Sequence, residues 1–325
     1  MMHTLSLEEL EADAAVVDEL LADHNDLDPF CSSTYWTVPA HLAFASDRTP
    51  WLRRSDAGYC LLAASNHQGR SFLEPLEVNW GFGSPFVYSD ATTLARELAR
   101  EVCELGVARP ALLLSGLRPG GQMFTALAEA LSPGMRLFHG ASMRRYRASL
   151  KGSNDGFMSR RSRKFRANLR RCERLVRDAG LQVEKIARIR SESEAAALHE
   201  RMLAVEARSW KAEHGTGMCE ATMSEFYRLM LLRLWPHDLA RIAFARIDDS
   251  DAGYVFGAVY CGVYRGLQMS FDQRFSKLSL GSALQVEMIR TLCEEGVAVY
   301  DLGMDVAYKS RWAEETFETV QLIAL

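Results

Sequence analysis

The chain of 325 residues carries 38 Lys and Arg against 42 Asp and Glu, which gives a formal net charge of −4. Apolar residues make up 48% and charged residues 25% of the sequence. These values are typical of globular proteins, so a wholly disordered, collagen-like or coiled-coil chain is excluded. At roughly 150 residues per domain, the length predicts two domains.

Apolar periodicity and turn-forming residues predict the elements of the first 150 residues. Helices are expected over 5–24, 31–45, 91–105 and 120–131, and strands over 59–64, 72–78, 111–115 and 143–150. We therefore expect residues 1–150 to form an α+β domain of their own. The segment 151–156 is rich in turn formers and is the predicted linker.

Residues 151–325 are predicted to form a second domain, also of the α/β (α+β) class. It begins with a long basic helix over 157–179, which Gly180 ends. Strands over 239–247, 254–264 and 267–271 follow one another through turns, so they form an antiparallel meander. The other predicted elements are strand 181–186, helices 191–210, 221–234 and 282–295, strand 297–302, a helical turn over 306–312 and strand 316–324.

The small net charge conceals a strongly basic segment. From Arg144 to Arg177 there are 13 Lys and Arg but only two acids, so this segment carries +11 and the rest of the chain −15. One interpretation is a solvated helix face. The other is a site for a phosphorylated cofactor, a nucleic acid or an acidic carrier protein.

Cysteine and histidine spacing gives no sign of a metal site or of disulfides. The seven cysteines contain no CxxC pair, which disfavours a disulfide framework and a structural zinc site. The eight histidines show no HxxxH or HxH spacing, so we expect no metal. Residues 1–26 do not read as a secretory signal, and the longest apolar stretch, 254–264, is too short for a bilayer. We expect a cytoplasmic protein without a membrane span.

The strand–loop–helix segment 267–295 carries the most informative chemical pattern. Backbone N–H groups at a helix start, together with the helix dipole, bind anions. Helix capping by serine and glycine is the alternative interpretation. We predict that a cofactor phosphate binds at this helix start, on Ser279, Leu280, Gly281 and Ser282. Two cations that precede it, Arg274 and Lys277, are predicted to add positive charge.

The meander, the anion-binding helix start and the strand that follows resemble the core of the GNAT acyltransferase superfamily. The loop of that superfamily reads Gln/Arg-x-x-Gly-x-Gly/Ala. The register Ser276-Lys-Leu-Ser279-Leu-Gly281 keeps the last glycine, but serines stand at the first basic position and at the first glycine. The resemblance therefore implies the fold more firmly than it implies acetyl-CoA as the donor.

Three further segments resemble the CelD-like GNAT acetyltransferases, and they occur in family order over about 155–325. They are the basic helix around Ser162–Arg171, the Glu206-Ala-Arg-Ser-Trp-Lys211 pattern with a following Gly-Thr, and Tyr308-Lys309-Ser-Arg311-Trp312. The N-terminal half is similar to the degenerate GNAT-like half of these proteins and of the Fem peptidyltransferases. The resemblance implies tandem GNAT-like domains, each a mixed, mostly antiparallel sheet flanked by helices.

A GNAT fold splays two parallel strands apart and holds the thioester arm of an acyl-CoA between them. The resemblance assigns these strands to 267–271 and 297–302. Backbone N–H groups of the first strand would polarise the thioester carbonyl, as an oxyanion hole does. The pyrophosphate of acyl-CoA (acetyl-CoA), or the phosphate of an acyl-phosphopantetheine carrier, would lie on 279–282.

The same resemblance supplies candidates for the base that deprotonates the acceptor amine. They are Asp272, Glu206 and Asp305. Each has a structural alternative. Asp272 can cap a turn, Glu206 can pair with an arginine, and Asp305 can cap the next helix.

The remaining roles fall on aromatic and basic residues. Tyr308 can protonate the leaving thiolate, because a phenol donates readily, and Lys309 can bind an acceptor phosphate or carboxylate. Trp210, Lys211 and Trp312 are the candidates for the acceptor pocket. Core packing is the alternative for Tyr308 and the two tryptophans.

We expect an N-acyltransferase that passes an acyl group from acyl-CoA, or from an acyl-carrier protein, to the amine of a small molecule or peptide. One alternative is a Fem-like transferase that uses aminoacyl-tRNA. The sequence disfavours tRNA, since it has neither an aromatic-interleaved RNA-reading motif nor a long helical hairpin insertion. The other alternative is a non-catalytic binding module with an altered cofactor loop.

Overall fold

The computed structural model describes residues 2–22, 24, 26–186 and 188–325, with the backbone alone at Val107. The chain divides into two compact units. The first comprises Met1–Arg144 and Glu318–Leu325, and the second comprises Arg145–Phe317. No helix in the described ranges is long and apolar enough to cross a lipid bilayer.

The strands are β1 (His3–Leu5), β2 (Thr49–Ser55), β3 (Gly58–His67), β4 (Arg70–Pro75), β5 (Phe86–Tyr88), β6 (Ala111–Leu117), β7 (Leu137–Ser149), β8 (Gln182–Ile186), β9 (Ala240–Ile247), β10 (Ser250–Tyr260), β11 (Val263–Phe271), β12 (Val299–Met304) and β13 (Glu315–Ala324). The α-helices are α1 (Leu7–Ala12), α2 (Ala14–Ala22), α3 (Pro29–Ser32), α4 (Thr34–Phe44), α5 (Ala91–Glu104), α6 (Gln122–Leu131), α7 (Ser153–Ser159), α8 (Arg163–Asp178), α9 (Glu192–Glu206), α10 (Trp210–Glu213), α11 (Ala221–Leu234) and α12 (Leu280–Glu294). Short 3-10 helices lie at Gly106–Ala108, Gly217–Cys219, Trp235–His237, Gln273–Leu278 and Ala307–Arg311.

In the first unit the strands follow the order β1-β2-β3-β4-β6-β13, and β5 pairs with β3. β2, β3 and β4 form an antiparallel meander. β6 then runs parallel to β4, while β13 is antiparallel to β6. The amphipathic helix α5 connects the meander to β6, capped by the Asp90 side chain and buried along Leu94, Leu98 and Val102.

Two predicted helices of this unit are each divided in two. The helix predicted over 31–45 is α3 followed by α4, because Ser33 has extended backbone with φ −79° and ψ 166°. The helix predicted over 5–24 is α1 followed by α2. α1 begins with a capping box, in which Ser6 and Glu9 bond each other's backbone N–H groups.

In the second unit the strands follow the order β7-β12-β11-β10-β9-β8. β8 to β11 are antiparallel neighbours, β12 runs parallel to β11, and β7 is antiparallel to β12. The arrangement of meander, helix and parallel strand thus occurs in both units. The predicted fold class, a mixed and mostly antiparallel sheet flanked by helices, is confirmed.

The turn between β10 and β11 lies elsewhere than predicted. The sequence suggested one strand over 254–264 and a turn at Arg265-Gly266. Instead, Tyr260 pairs with Val263 across a two-residue turn. Cys261 and Gly262 in that turn have φ values of 47° and 72°, as a type I′ hairpin requires. Arg265 and Gly266 are consequently inside β11.

Helices cover both faces of the sheet in the second unit, as the alternation along β10 demonstrates. Val255 belongs to the apolar cluster that includes α8 and α12 side chains. Its neighbours point the other way: Tyr254 bonds Glu206 of α9, and the ring of Phe256 contacts Tyr227 of α11. The site described below lies where the two layers approach the same gap in the sheet.

Candidate active site

A gap opens between the parallel strands β11 and β12. Their pairing runs from Val263–Val299 to Arg265–Asp301. Beyond it, residues of both strands line a cavity of 170 Å³, which we call the slot. The slot is lined by Lys211, Val255, Gly266, Leu267, Gln268, Met269, Gln285, Tyr300, Leu302, Tyr308 and Lys309.

Side chains from both helix layers reach the slot. Gln285 comes from α12, on one face of the sheet, and Lys211 comes from α10, which follows α9 on the other. The Lys211 ammonium donates to the Gln268 side chain at 2.8 Å and to the Met269 carbonyl at 2.9 Å. The slot therefore extends through the sheet, and Lys211 is fixed against one wall.

Glu206 contacts Lys211 and helps to fix its position. Its side chain is fully buried, and one carboxylate oxygen lies 3.3 Å from the Lys211 ammonium. The same oxygen accepts from the Met218 backbone at 3.1 Å, while the other accepts from the Tyr254 hydroxyl at 3.1 Å. A Cβ on Gly217 would lie 2.2 Å from this carboxylate, which explains the glycine there. Glu206 thus positions its neighbours, and the slot lining does not include it.

Lys309 and Tyr308 enter the slot from the 3-10 helix after β12. Burial, and next the positive charge of Arg265, lower the pKa of Lys309 to about 8. Burial also raises the pKa of Tyr308, although half of its surface is exposed. Gly303, which lies beside the Lys309 ammonium, has a left-handed backbone with φ 79°, a conformation that favours glycine. Lys309 can therefore change its protonation state near neutral pH.

A buried ion cluster around Asp301 was not predicted from the sequence. Asp301 of β12 pairs with Arg265 at 2.5 Å, Arg147 at 3.0 Å and Arg145 at 3.5 Å. It also accepts from the Gly303 backbone at 2.9 Å. Burial alone raises the pKa of Asp301, but the three guanidinium groups outweigh it and hold the pKa well below its usual range. The sequence signal for this cluster was the presence of charged residues within predicted strands that are otherwise apolar.

The loop between β11 and α12 has the shape of an anion cradle. Ser279 adopts the left-handed conformation, with φ 57°, at the position of the first glycine in the related loop. α12 begins at Leu280 rather than at Ser282 as predicted, and the Leu280 side chain is buried in the core. A Cβ on Gly281 would lie 3.2 Å from the Met269 side chain. The Ser282 and Ala283 N–H groups donate to the Ser279 carbonyl at 3.1 and 3.3 Å, so the amides of Leu280 and Gly281 are the ones at this helix start without an intrahelical acceptor.

Asp272, one of the predicted bases, is engaged in structural contacts. It accepts from Arg208 at 2.7 Å and from Arg274 at 2.7 Å, and it caps the following 3-10 helix. Burial by itself raises the pKa of Asp272, but these hydrogen bonds outweigh it and lower the pKa to about 2. Arg274 is engaged with Asp272, whereas Lys277 is exposed.

The other predicted residues are only partly brought together. Trp312 is buried against Phe157 and Phe165, with ring centroids 6.5 and 5.1 Å away, which favours the core-packing alternative for this residue. Trp210 is half exposed and contacts His214. Asp305 is exposed and does not line the slot. Lys211, Tyr308 and Lys309 are the predicted residues that converge there.

The described part of the chain contains no candidate metal site. Within it, no three His, Cys, Asp or Glu side chains are grouped closely enough to hold an ion. The cysteines described there are free thiols.

Comparisons with known proteins give a family match and several similar folds. Residues 163–310 match the family model described as an acetyltransferase (GNAT) domain. A conserved protein of unknown function from Bacteroides thetaiotaomicron VPI-5482 is similar over 100% of both chains, with 11% identity and a TM-score of 0.67. FemX is 12% identical over 98% of this chain and 96% of its own, with a TM-score of 0.65.

A third similar structure is L-PGS from Bacillus licheniformis. It is 13% identical over 98% of this chain and 91% of its own, with a TM-score of 0.56. No curated protein matches the sequence. At such low identities, these structural similarities establish the fold alone.

Proposed function

Because residues 163–310 match a GNAT acetyltransferase domain and the fold is similar to that of FemX, we propose that the chain is a GNAT-type transferase that passes an acyl group from acyl-CoA to an amine in the slot. The observation that carries this proposal is the gap between β11 and β12, which reaches through the sheet and is lined by Lys309 and Tyr308. The residues converging there suit bond formation between two substrates that approach from opposite faces.

The chain offers a fitting site for the donor. The left-handed Ser279 leads into α12, and the free amides and the dipole at the start of this helix would favour a pyrophosphate there. Acyl-CoA would supply the acyl group as a thioester, which an amine attacks with loss of the thiolate. Backbone N–H groups of β11 facing the slot would stabilise negative charge on the carbonyl oxygen.

Lys309 is the proposed base. Its amine, with a pKa of about 8, is partly neutral near pH 7.5 and can take one proton from the attacking amine at Nζ. Tyr308 donates its hydroxyl proton to the departing sulfur and regains one from solvent, since half of its surface is exposed. The new amide bond forms as the carbon–sulfur bond breaks. Lys309 then releases to solvent the proton that it took, while Tyr308 regains one, so the protons balance.

Lys211 has a positioning role in this proposal. Its ammonium is tied to the β11 residue Gln268 and to the Met269 carbonyl. It therefore fixes the edge of β11 that would face the thioester. Burial lowers the pKa of Lys211, and the adjacent Glu206 opposes that effect.

A second candidate function is aminoacyl transfer from aminoacyl-tRNA. The observation that favours it is the basic helix α8, whose arginines lie on its exposed side while Leu169, Cys172 and Val176 are buried. Phosphate contacts by such a surface would weaken steeply with salt.

A ligand-induced shift in melting temperature tests the donor. At a concentration of 100 times Kd, acetyl-CoA or a longer acyl-CoA should stabilise the protein by about 2.7 kcal/mol. Gly281→Glu should abolish this shift, because its side chain would displace Met269 and disturb the first turn of α12; circular dichroism checks that the variant folds. The melting temperature is measured by differential scanning fluorimetry over a panel of acyl chain lengths.

Gln182→Glu is a control for the added charge, which it introduces at an exposed position of β8. It should leave the shift intact. Absence of any shift across the panel would rule out CoA as the donor. Ribonuclease-sensitive RNA on the purified protein would then favour the second candidate.

A further inference from the structure

Gln285 is a polar residue on the side of α12 that faces the sheet. It follows one turn after Gly281, which lies beside Met269 of β11. The next residues at this helical spacing, Met288 and Leu292, are apolar and buried, as expected for a helix face that packs on a sheet. Gln285 is itself only 4% exposed, so a hydrophilic amide stands where an apolar side chain would suit the packing.

The amide of Gln285 lines the slot without a protein partner. Within the described residues its side chain makes no hydrogen bond, although it borders the cavity between β11 and β12. A buried amide that lacks a partner is costly. Its carbonyl can accept and its NH₂ group can donate, so a polar ligand atom in the slot would satisfy it.

The other polar side chains of the slot already have partners or act in the proposed reaction. The ammonium of Lys211 is directed at two acceptors on β11 and at Glu206, which occupies its three N–H groups. The Gln268 amide accepts one of these bonds and donates to the Tyr227 hydroxyl at 3.3 Å. The proposed base and the proposed acid serve the bond-making step. Gln285 is therefore the group that is left for recognising a substrate.

The acyl group is the part of the donor that fits beside Gln285. Gln285 and Lys309 border the same cavity of 170 Å³, which has room for about six groups the size of a water molecule. The thioester carbon has to lie near Lys309 for that residue to act as base. In so small a space, the substituent on this carbon occupies the remainder of the slot and meets the Gln285 amide.

We propose that the protein selects a short acyl group with a hydroxyl on its second or third carbon, and that Gln285 binds this hydroxyl. A neutral hydroxyl suits the slot better than a charged group does. An ammonium would be repelled by Lys309 and the neighbouring Arg265, and a carboxylate would keep Lys309 protonated. The inference rests on the proposed function, because it requires acyl-CoA as the donor.

Calorimetric titration of the full chain with two matched pairs of acyl-CoA esters tests the proposal. Glycolyl-CoA and propionyl-CoA differ by a hydroxyl or a methyl group on the second carbon, and 3-hydroxypropionyl-CoA and butyryl-CoA differ in the same way on the third. The wild type should bind the hydroxylated member of at least one pair about tenfold more tightly, as expected for a hydrogen bond that satisfies a buried amide.

Gln285→Leu replaces the amide by an apolar side chain of similar size and should bind both members of each pair equally. Circular dichroism checks that it folds, and Gln285→Met is the second variant for the same measurement. Gln182→Leu makes the same change at an exposed position of β8 and should keep the tenfold preference.

Each other outcome has a definite meaning. Equal wild-type affinities within both pairs, or a preference that survives the loss of the Gln285 amide, would overturn the proposal while the donor stands. A variant that loses affinity for all four esters alike would show that Gln285 contacts the part common to them, which also overturns it. If none of the four esters binds the wild type, the proposed function fails together with the inference.

Discussion

Lys309→Met is expected to lower kcat/KM for acyl transfer by about 10²–10⁴-fold, the usual contribution of a positioned base. The fold should be retained, because the substitution removes a cation that burial and Arg265 disfavour. Far-ultraviolet circular dichroism and the melting temperature check folding, and release of free thiol from acyl-CoA measures the rate. Lys151→Met is the control, since Lys151 is exposed and does not line the slot.

The direction in which kcat/KM changes with pH follows from the role of Lys309 as base. The pKa of Lys309 is lowered to about 8, so the neutral amine that acts as base becomes more abundant as pH rises. kcat/KM should therefore increase by about tenfold per unit below this pKa and level off above it. Competitive acetylation read by mass spectrometry measures the Lys309 pKa without knowledge of the acceptor. A rate that falls as pH rises through 8 would show that the cation is the active form.

Asp301→Asn is expected to destabilise the second unit by about 3–5 kcal/mol, because it removes the carboxylate charge that pairs with buried guanidinium groups. Arg145 and Arg265, which pair with Asp301, are 0% and 5% exposed. Urea denaturation measures the free energy of unfolding. Asp305→Asn, at an exposed position just beyond β12, should change it by less than about 0.5 kcal/mol.

Lowering the pH should weaken the stabilisation that the same ion cluster provides. The pKa of Asp301 is lowered in the folded protein, so its stabilisation is present above its unfolded pKa and is lost as pH falls through the folded value. The Asp301→Asn variant should lack that part of the acid sensitivity. An equal response of both proteins to acid, or a loss below about 0.5 kcal/mol at neutral pH, would contradict the role of Asp301.

Local patterns predicted the framework of the second unit. The meander and the helix start near Gly281 follow from periodicity and capping over short stretches. The basic helix predicted over 157–179 is instead α7 followed by α8, which begins after the Ser162 cap. The turn at Cys261-Gly262 was misplaced, because Arg265-Gly266 offered an equally plausible glycine turn in sequence. Propensity does not separate two such neighbours, whereas the cross-strand register of β10 and β11 does.

Long-range contacts account for the residues that the sequence did not reveal. Asp301 meets Arg147 only because β12 pairs with β7, a strand about 150 residues earlier. The lowered pKa of Lys309 depends on burial beside Arg265, which is set by packing across strands. The same packing buries Trp312 in the core and pairs Asp272 with two arginines, although both residues belong to segments whose sequence spacing resembles that of the family.

The central claim is that the slot between β11 and β12 holds the donor's acyl group within reach of Lys309. A crystal structure with an acetyl-CoA analogue that has a methylene group in place of the thioester sulfur tests it most directly. We predict the carbonyl of the analogue in the slot, hydrogen-bonded to a β11 amide, with the pyrophosphate at the start of α12. An analogue bound elsewhere, with the slot filled by side chains or water, would contradict the account.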